Sequence, residues 1–344
     1  MKHPFYELFH LLLKKGNREC KKISPLSTRD LSHTPPISTE YKKMGSLILA
    51  GGQASRLKAS VIPKGCIELP FESTKTLFQI FFERIKHKGI DLPLAIMTSP
   101  LNHRETVAFL QNHDYFGLTN VKLFQQGLMP VCDDQGFMVF DDQGKMVQSP
   151  DGNGKALFHL YHSGIWKNWE KTGVEVVQVI PVDNILAQPF DSELLGGYHL
   201  DNSDLVLRVI KRKDPTEQLG VVGINNGRIS VCEYSELASY THLKDFIYGN
   251  SGHFICTLDF VEQTLHFKLP WHIARKQIFS HDKSKKMWAW KFETFIFDLF
   301  PLAQDFTIVV GNRKDCFAPI KNLVGSDSIE SASQALIQYL RRNS

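Results

Sequence analysis

The clearest chemical signal lies in residues 47–65, which read LILAGGQASRLKASVIPKG. A short apolar run typical of a buried strand is followed at once by Gly51 and Gly52, so the backbone can turn sharply and approach a ligand with no Cβ in the way. Arg56 and Lys64 then place two cations in the loops that follow. A loop that presents backbone N–H donors beside Arg and Lys is suited to bind a nucleoside triphosphate.

Two common nucleotide-binding loops do not fit this stretch. The pattern is not GxxxxGK[ST], and Ala54 and Leu57 stand where a GxGxxG loop would need glycines. Two glycines after a strand also occur in ordinary strand–helix turns, so the glycines alone leave a tight turn as an alternative. The cations Arg56 and Lys64 are what favour a phosphate-binding role.

Polar groups also stand near the ends of other predicted segments. Gln126 ends a strand predicted at 121–126, residues 150–154 (PDGNG) form a turn before a predicted helix, and Asp183 follows a strand predicted at 174–182. Ligands of open α/β sheets bind at the carboxyl ends of the strands. We therefore expect these groups to share one site with the glycine turn.

Asp183 is the candidate metal ligand. A carboxylate at the end of a buried strand is costly unless it is paired or coordinates a cation. One carboxylate together with substrate phosphates suits Mg²⁺. The alternative is that Asp183 caps the segment that follows it.

The order of these motifs resembles a known family. LAGGQASRL, PKG and the KTLFQ of residues 75–79 are similar to the signature of the eukaryotic-type UDP-sugar pyrophosphorylases (UDPGP type 1), and most similar to the UDP-N-acetylglucosamine (UDP-N-acetylhexosamine) pyrophosphorylase branch. The family loop usually reads LAGGQGTRLG, whereas Ala54, Ser55 and Lys58 replace its Gly, Thr and second Gly here. The similarity runs in the same order from about residue 45 to residue 340.

This resemblance implies roles for the nucleotide-site residues. Arg56 would bind the outgoing β- and γ-phosphates, Lys64 the α-phosphoryl oxygens, and Asp183 a Mg²⁺ ion. Lys321, in a PIKN segment that resembles the family's PLKNAD, would contact the phosphates as a third catalytic residue, although residues 323–324 (LV) replace the Ala–Asp pair. The remaining nucleotide-binding candidates are Leu49, Ala50, Gly51, Gly52, Gln53, Gln126, Pro150, Gly152 and Asn153.

The second half of the chain would supply the sugar site. Glu233 opens an EYSE segment that matches the family, whose first Glu binds sugar hydroxyls, and Asn184 lies in a matching VDN. Residues 253–254 (HF) match the family's NHF, but Gly252 stands where the family has Asn. Asn250 is a candidate to replace that Asn. The sugar-binding candidates are therefore Asn184, Glu233, Asn250 and His253.

Hydrophobic periodicity and turn residues predict the elements that carry these groups. In the first half we expect helices at 75–88, 104–113 and 155–171, strands at 93–99, 121–126 and 174–182, and a hairpin at 137–148. In the second half we expect strands at 205–211, 220–234 with a turn at 225–227, 253–258 and 306–311, and helices at 291–300 and 331–342.

Strands that alternate with helices imply a mostly parallel sheet in the first half, and the second half has a more antiparallel pattern. With the resemblance, the expected class is α/β: a Rossmann-like (glycosyltransferase-A-like) nucleotidyltransferase fold with a mixed, mostly parallel central sheet flanked by helices. Residues 1–43 would form an N-terminal helix and an irregular connector. Residues 44–344 would form one catalytic domain, with a nucleotide-binding half (44–200) and a sugar-binding half (201–344).

Composition excludes several other classes. The 344 residues are 42% hydrophobic and carry a formal net charge of only +4, with no basic stripe interleaved with aromatics for nucleic acid. Six cysteines without CxxC spacing indicate a reducing compartment and argue against a disulfide framework or a zinc site. We see no membrane-length apolar run and no signal peptide, so we expect a cytoplasmic enzyme that contacts neither membrane nor nucleic acid. The oligomeric state stays open, with a monomer among the options.

The expected reaction is uridylyl transfer with Mg²⁺ as cofactor. N-acetylglucosamine-1-phosphate would attack the α-phosphorus of UTP in line and release pyrophosphate. Glucose-1-phosphate, or a broad range of sugar phosphates, is the alternative substrate. A non-catalytic UDP-sugar-binding homologue is a second alternative, because Ala54 and Lys58 replace loop glycines. An S-adenosylmethionine or nicotinamide enzyme is disfavoured because Thr98 and Ser99, and no acidic residue, end the second strand.

Overall fold

The computed structural model describes residues 4–15, 23–33, 35–52, 62–70, 74–233, 243–279 and 286–343. Helices and strands alternate along most of this part of the chain. Its α-helices are α1 Pro4–Lys15, α2 Leu77–Lys86, α3 His103–Asn112, α4 Ala156–His162, α5 Ile165–Lys171, α6 Ser192–Asp201, α7 Leu258–Thr264, α8 Arg313–Cys316 and α9 Ile329–Asn343. Its strands are β1 Ser24–Pro25, β2 Leu31–Ser32, β3 Met44–Leu49, β4 Glu68–Leu69, β5 Lys75–Thr76, β6 Leu94–Thr98, β7 Val121–Gln125, β8 Leu128–Pro130, β9 Gln148–Pro150, β10 Val176–Pro181, β11 Leu205–Lys211, β12 Val221–Asn225, β13 Arg228–Cys232, β14 Tyr248–Thr257, β15 His272–Phe279, β16 Lys286–Glu293 and β17 Phe306–Gly311.

One mixed sheet organises the fold. Its main path runs β2-β17-β11-β14-β10-β3-β6-β7. Every neighbouring pair on this path is parallel except those of β14, which runs antiparallel to both β11 and β10. Strands β1, β12 and β13 extend it through antiparallel pairs beside β14. The predicted mixed, mostly parallel sheet is confirmed, and so is the more antiparallel second half.

The centre of the sheet is covered on both faces. In β10, Val177 and Val179 point into one hydrophobic core, while Val176 and Ile180 point into another on the opposite face. A strand buried on both sides favours β-branched residues without alternation, which is why this run was recognisable in the sequence. Helix α2 covers the second face with an apolar stripe, and the Thr76 hydroxyl caps it by accepting from the Gln79 N–H.

Two predicted helices differ from the structure. Residues 155–171 form two helices, α4 and α5, because Gly164 adopts φ +79°, a left-handed conformation that a continuous helix cannot contain. The helix predicted at 291–300 is wrong: residues 291–293 end β16, and a 3₁₀ segment follows at Ile296–Leu302. Aromatic residues at helical spacing misled the prediction, whereas the pairing of β16 with β15 decides the local structure.

The N-terminal segment is joined to the body. Strand β1 pairs with β12 and β2 pairs with β17, so part of the predicted connector belongs to the sheet. In α1, the fully buried Phe9 packs edge-on against Trp290, with 5.7 Å between the ring centroids. The division of the remaining chain into a nucleotide half and a sugar half stays a prediction.

Two negative expectations can be compared with the described residues. None of their helices is long and apolar enough to cross a membrane. Cys66, Cys132, Cys256 and Cys316 are free thiols, whereas Cys232 is disulfide-bonded. The sequence argued only against a disulfide framework, so one bonded cysteine does not contradict that expectation.

Candidate functional site

Four parallel strands end side by side at one edge of the sheet. Strands β3, β6, β7 and β10 point the same way, and hydrogen bonds continue beyond their ends. Ala50 N donates to Met97 O at 2.7 Å, Gln126 N to Thr98 O at 2.8 Å, and Val182 N to Leu49 O at 3.1 Å. The glycine turn, Gln126 and Asp183 therefore leave the sheet next to one another, as the sequence predicted.

The strongest contact at this edge joins Lys64 and Asp183. Lys64 Nζ lies 2.7 Å from Asp183 Oδ2, and the two side chains are 23% and 21% exposed. Burial alone would raise the pKa of Asp183, but the ammonium groups of Lys64 and Lys321 outweigh it, so this pKa lies below its ordinary value. The predicted catalytic lysine and metal ligand are thus in direct contact, and Asp183 is ionised at neutral pH.

The glycine turn is held by a residue that the sequence analysis missed. The buried Asn102 donates from Nδ2 to Ala50 O at 3.0 Å and to Gly52 O at 3.2 Å, while its Oδ1 accepts from Ser99 N at 2.9 Å. These bonds fix the turn from behind. An Asn near a predicted helix start would ordinarily suggest an N-cap, so spacing along the chain gave no sign of this contact.

Gln126 packs directly on the glycine turn. Its side chain is 6% exposed and donates from Nε2 to Gly152 O at 3.2 Å. Its Oε1 occupies the space that a Cβ on Gly51 would need. Gly52 instead lies against the methylenes of Lys64, where a Cβ would come to 3.3 Å from Cδ. The absence of a Cβ therefore makes room for Gln126 at Gly51 and for Lys64 at Gly52.

The PDGNG turn is built against the segment that follows β16. Pro150 ends β9, and Gly152 adopts φ +87° in a bridge to Thr294, so any Cβ there would overlap the Thr294 backbone. Asn153 Oδ1 accepts from Ile296 N at 3.1 Å. The oxygen of the predicted nucleotide ligand Asn153 is thus engaged within the protein, and its contact with a nucleotide stays a prediction.

Two predicted sugar ligands lie around Gly220. A Cβ at Gly220 would be 3.4 Å from Glu233 Oε1, and Asn250 N donates to Gly220 O at 2.8 Å. The pairing of β14 with β11 shifts between Arg208 and Val209, so β14 bulges, and Asn250 Oδ1 accepts from Gly252 N at 2.9 Å.

The bulge also brings this region towards the metal candidate. A Cβ on Gly252 would lie 3.4 Å from Pro181 Cγ, two residues before Asp183 in the chain. The Asn250 side chain is hydrogen-bonded to Gly252, the residue that stands where the family has Asn.

The other two sugar candidates are enclosed. Asn184 is 1% exposed; its Nδ2 donates to Cys316 O and its Oδ1 accepts from Ala318 N, both at 2.9 Å. His253 is fully buried, 2.7 Å through Nε2 from the Gln178 amide nitrogen. In this structure both side chains serve internal contacts, and their sugar contacts stay predictions.

Lys321 comes close to Asp183 through the backbone. Ile320 N donates to Asp183 O at 2.9 Å, and the charge of the next residue, Lys321, helps to lower the pKa of the Asp183 carboxyl group. The predicted residues Gln53 and Arg56 lie outside the described residues.

The resulting edge combines two lysines, one carboxylate and a glycine turn. This combination suits a polyanion whose charge is shared between cations and a metal ion. No group of three His, Cys, Asp or Glu side chains able to hold a metal occurs among the residues that the structure describes. Asp183 alone fits a Mg²⁺ whose other ligands come from a substrate and water, and the donor set does not suit a metal caged by protein ligands.

The chain is similar to known proteins over most of its length. The model of the UTP–glucose-1-phosphate uridylyltransferase family (UDPGP) matches residues 3–336. Among curated proteins, UDP-N-acetylglucosamine diphosphorylase 2 of Arabidopsis thaliana is 33% identical over 87% of this chain and 66% of its own, and UDP-N-acetylglucosamine pyrophosphorylase of Saccharomyces cerevisiae is 29% identical over 94% and 76%. This chain therefore spans about two thirds to three quarters of the length of these relatives.

The fold is shared with a solved structure. The crystal structure of the uridine diphosphate N-acetylglucosamine pyrophosphorylase from Trypanosoma brucei superposes with a TM-score of 0.80. The superposition covers 97% of this chain and 75% of that one, at 24% identity. This comparison confirms the predicted fold class.

Gly51→Ala should destabilise the protein by about 1–3 kcal/mol, because the new Cβ overlaps Gln126 Oε1. In a Gln126→Ala background, Gly51→Ala should lower the free energy of unfolding by a clearly smaller amount. Urea unfolding of the four variants gives the coupling energy. Gly52→Ala is the matched control, since the flexible Lys64 side chain can move aside; equal costs of Gly51→Ala in both backgrounds would contradict the packing.

His253 should make stability depend on pH in mildly acidic solution. Burial lowers the pKa of His253 to about 3 against the opposing effect of Asp191, while the unfolded chain has the ordinary value of 6.5. Below pH 6.5 the unfolded state gains a proton that the folded state refuses, so this contribution falls as pH drops, by up to about 1.4 kcal/mol per pH unit. The free energy of unfolding, measured with urea at several pH values between 5 and 7, should change less with pH in His253→Gln than in the native protein. His87→Gln, at an exposed position, is the control and should keep the native pH dependence of the unfolding free energy. The same pH dependence in the native protein and in both variants would argue against a neutral His253.

Proposed function

Because the chain belongs to the UTP–glucose-1-phosphate uridylyltransferase family, we propose that it transfers the uridylyl group of UTP to N-acetylglucosamine-1-phosphate and releases pyrophosphate. The observation that carries the proposal is the Lys64–Asp183 contact at the carboxyl ends of the strands, with Lys321 beside it. The names of the relatives in Arabidopsis thaliana and Saccharomyces cerevisiae favour this sugar.

The proposed chemistry is a single in-line displacement. A phosphate oxygen of the sugar phosphate bonds to the α-phosphorus of UTP, the bond from that phosphorus to the α,β-bridging oxygen breaks, and pyrophosphate leaves with the electron pair. No covalent intermediate with the protein is required, so the side chains act by positioning and charge neutralisation. Mg²⁺ held by Asp183 would neutralise phosphate charge when it is bound.

The residues of this chain have defined tasks in that scheme. The turn at Gly51 and Gly52, held by Asn102, offers backbone N–H groups to the nucleotide, and Gln126 closes one side of the turn. Lys64 balances the charge of Asp183 before substrates bind and would then turn to the α-phosphoryl oxygens. Lys321 would contact the phosphates from the other side of Asp183, and Arg56 the outgoing pyrophosphate.

A panel of sugar phosphates tests the function directly. The protein is incubated with UTP, Mg²⁺ and either N-acetylglucosamine-1-phosphate, N-acetylgalactosamine-1-phosphate or glucose-1-phosphate, and released pyrophosphate is measured. We expect the N-acetylated sugars to react fastest. Preference for glucose-1-phosphate would correct the substrate. Binding of UDP-sugar in a calorimeter without pyrophosphate release from any sugar would instead show a non-catalytic homologue.

Asp183→Asn should reduce pyrophosphate release to below about 1% of the native rate, a loss of the size seen when one transition-state contact is removed. The substitution keeps the shape of the side chain but removes the charge that would bind Mg²⁺ and that pairs with Lys64. Glu217→Gln is the matched control, since Glu217 forms a pair with Arg313 at 2.6 Å in which both side chains are also about one fifth exposed. A native rate in Asp183→Asn would refute the metal assignment.

A further inference from the structure

The segment that follows Asp183 is held by two cations. We call residues 184–190, between β10 and α6, the strap. Arg84 Nη1 donates to Ile185 O at 2.6 Å and to Ala187 O at 3.3 Å. One helical turn further along, just beyond the end of α2, Lys88 Nζ donates to Phe190 O at 2.6 Å and to Pro189 O at 3.0 Å. One end of the strap is therefore attached to α2 and the other to the residues that follow α2 directly.

Arg84 occupies this position without a carboxylate partner. Among the described residues it forms no ion pair, and its buried Nη2 atom has no hydrogen-bond partner; its guanidinium lies 5.8 Å from the centre of the Tyr339 ring. Burial lowers the pKa of Arg84 to about 10, so the group is still charged at neutral pH. Partial burial of an unpaired cation is unfavourable, and an apolar side chain would serve packing alone better. What Arg84 adds is the fixed geometry of its donors on the strap carbonyls.

The strap connects these donors to Asp183 and to the segment that carries Lys321. Its first bond to Arg84 is at Ile185, two residues after Asp183. Ile185 N donates to Ala318 O at 3.3 Å, and Ile320 N donates to Asp183 O at 2.9 Å, so the strap also sets the position of the segment that ends at Lys321. The far end of the strap is fixed by Gln178, which accepts from Phe190 N and donates to Gln188 O.

We propose that Arg84 is a positioning residue: by fixing the strap carbonyls it sets where the Asp183 carboxylate and Lys321 stand, and Lys88 supports it at the other end. This inference rests on the proposed function and adds to it two residues that touch neither substrate nor metal. A displacement of about 1 Å at a reacting group can cost on the order of 100-fold in rate, so loosening the strap should be felt in turnover.

The test compares Arg84→Met, Arg84→Lys and Lys88→Met with the native chain. Steady-state kinetics give kcat, the KM for UTP and the Mg²⁺ concentration for half-maximal rate. Electron paramagnetic resonance of free Mn²⁺ measures binding of that ion with UTP present at no more than the protein concentration, after the Mn²⁺ bound by the same UTP without protein is subtracted. This measurement does not depend on turnover.

We expect Arg84→Met to lower kcat about 10- to 100-fold and to raise the Mg²⁺ midpoint and the Mn²⁺ dissociation constant about 10-fold, with less than about a 3-fold change in the KM for UTP. Arg84→Lys should recover part of each loss because one donor to the strap remains. Lys88→Met should give a smaller change in the same direction. If Arg84→Met does not fold, the changes in kcat, Mg²⁺ midpoint and Mn²⁺ dissociation constant in Arg84→Lys and Lys88→Met test the proposal.

Arg212→Met is the matched control. Arg212 is buried and also donates only to carbonyls, at 3.0 Å to Phe246 O and 2.6 Å to Pro215 O, but it does not touch the strap. It should lower the melting temperature and leave the metal midpoint at the native value. A native kcat, metal midpoint and Mn²⁺ affinity in folded Arg84→Met and Lys88→Met would overturn the inference. A native chain that releases no pyrophosphate would overturn the proposed function instead, and Mn²⁺ binding with UTP would still report on the strap.

Discussion

The ion pair between Lys64 and Asp183 is the contact on which the site depends. It joins the loop after the glycine turn to the end of the central strand β10, over 119 residues of sequence. Both side chains are about one fifth exposed, so a ligand can reach them and exchange partners with them. A fully buried pair would resist separation, and a fully exposed pair would contribute little orientation. The partial exposure suits a pair in which Lys64 balances the charge of Asp183 while the site is empty and can separate from it to accept a polyanion with its metal ion.

Parallel strands explain why distant segments meet at this pair. Carboxyl ends of parallel neighbours share an edge, so the turn after β3, the residue after β7 and the acid after β10 emerge together. Side-chain amides then do the finer positioning. Asn102 holds the carbonyls of the glycine turn, Gln126 fills the space beside Gly51, and Asn184 ties the strand end to residues 316–318. Amides suit this work because they donate and accept at once without adding net charge beside phosphates.

The antiparallel strand β14 gives the second half of the chain a different role. Its bulge brings Asn250 and Gly252 to the end of β10. The side chain of His253 is buried instead, where it contacts the side chains of Gln178 and Asp191. Neutral His253 accepts a hydrogen bond from Gln178, whose side-chain oxygen in turn accepts one from Phe190 N at the end of the strap. Neighbouring residues of β14 thus have two roles: His253 supports the segment after Asp183 through Gln178, and Asn250 and Gly252 lie on the side of the sugar candidates.

The sequence by itself determined the sheet class, the central strand β10, the glycine turn and the family, because glycine, β-branched runs and motif order report on local backbone needs and on chemistry. It also predicted that Lys64 and Asp183 would share a cleft. It did not reveal Asn102, Arg84 or Lys88, since their partners are backbone carbonyls, which leave no mark on side-chain identity. The strand at residues 291–293 was likewise decided by tertiary pairing, which overrode helical spacing. The break at Gly164 comes from the left-handed backbone of that glycine, which hydrophobic spacing does not show. Enclosure of His253 and Asn184 depends on which face of the fold each side chain meets, and only the assembled sheet fixes that.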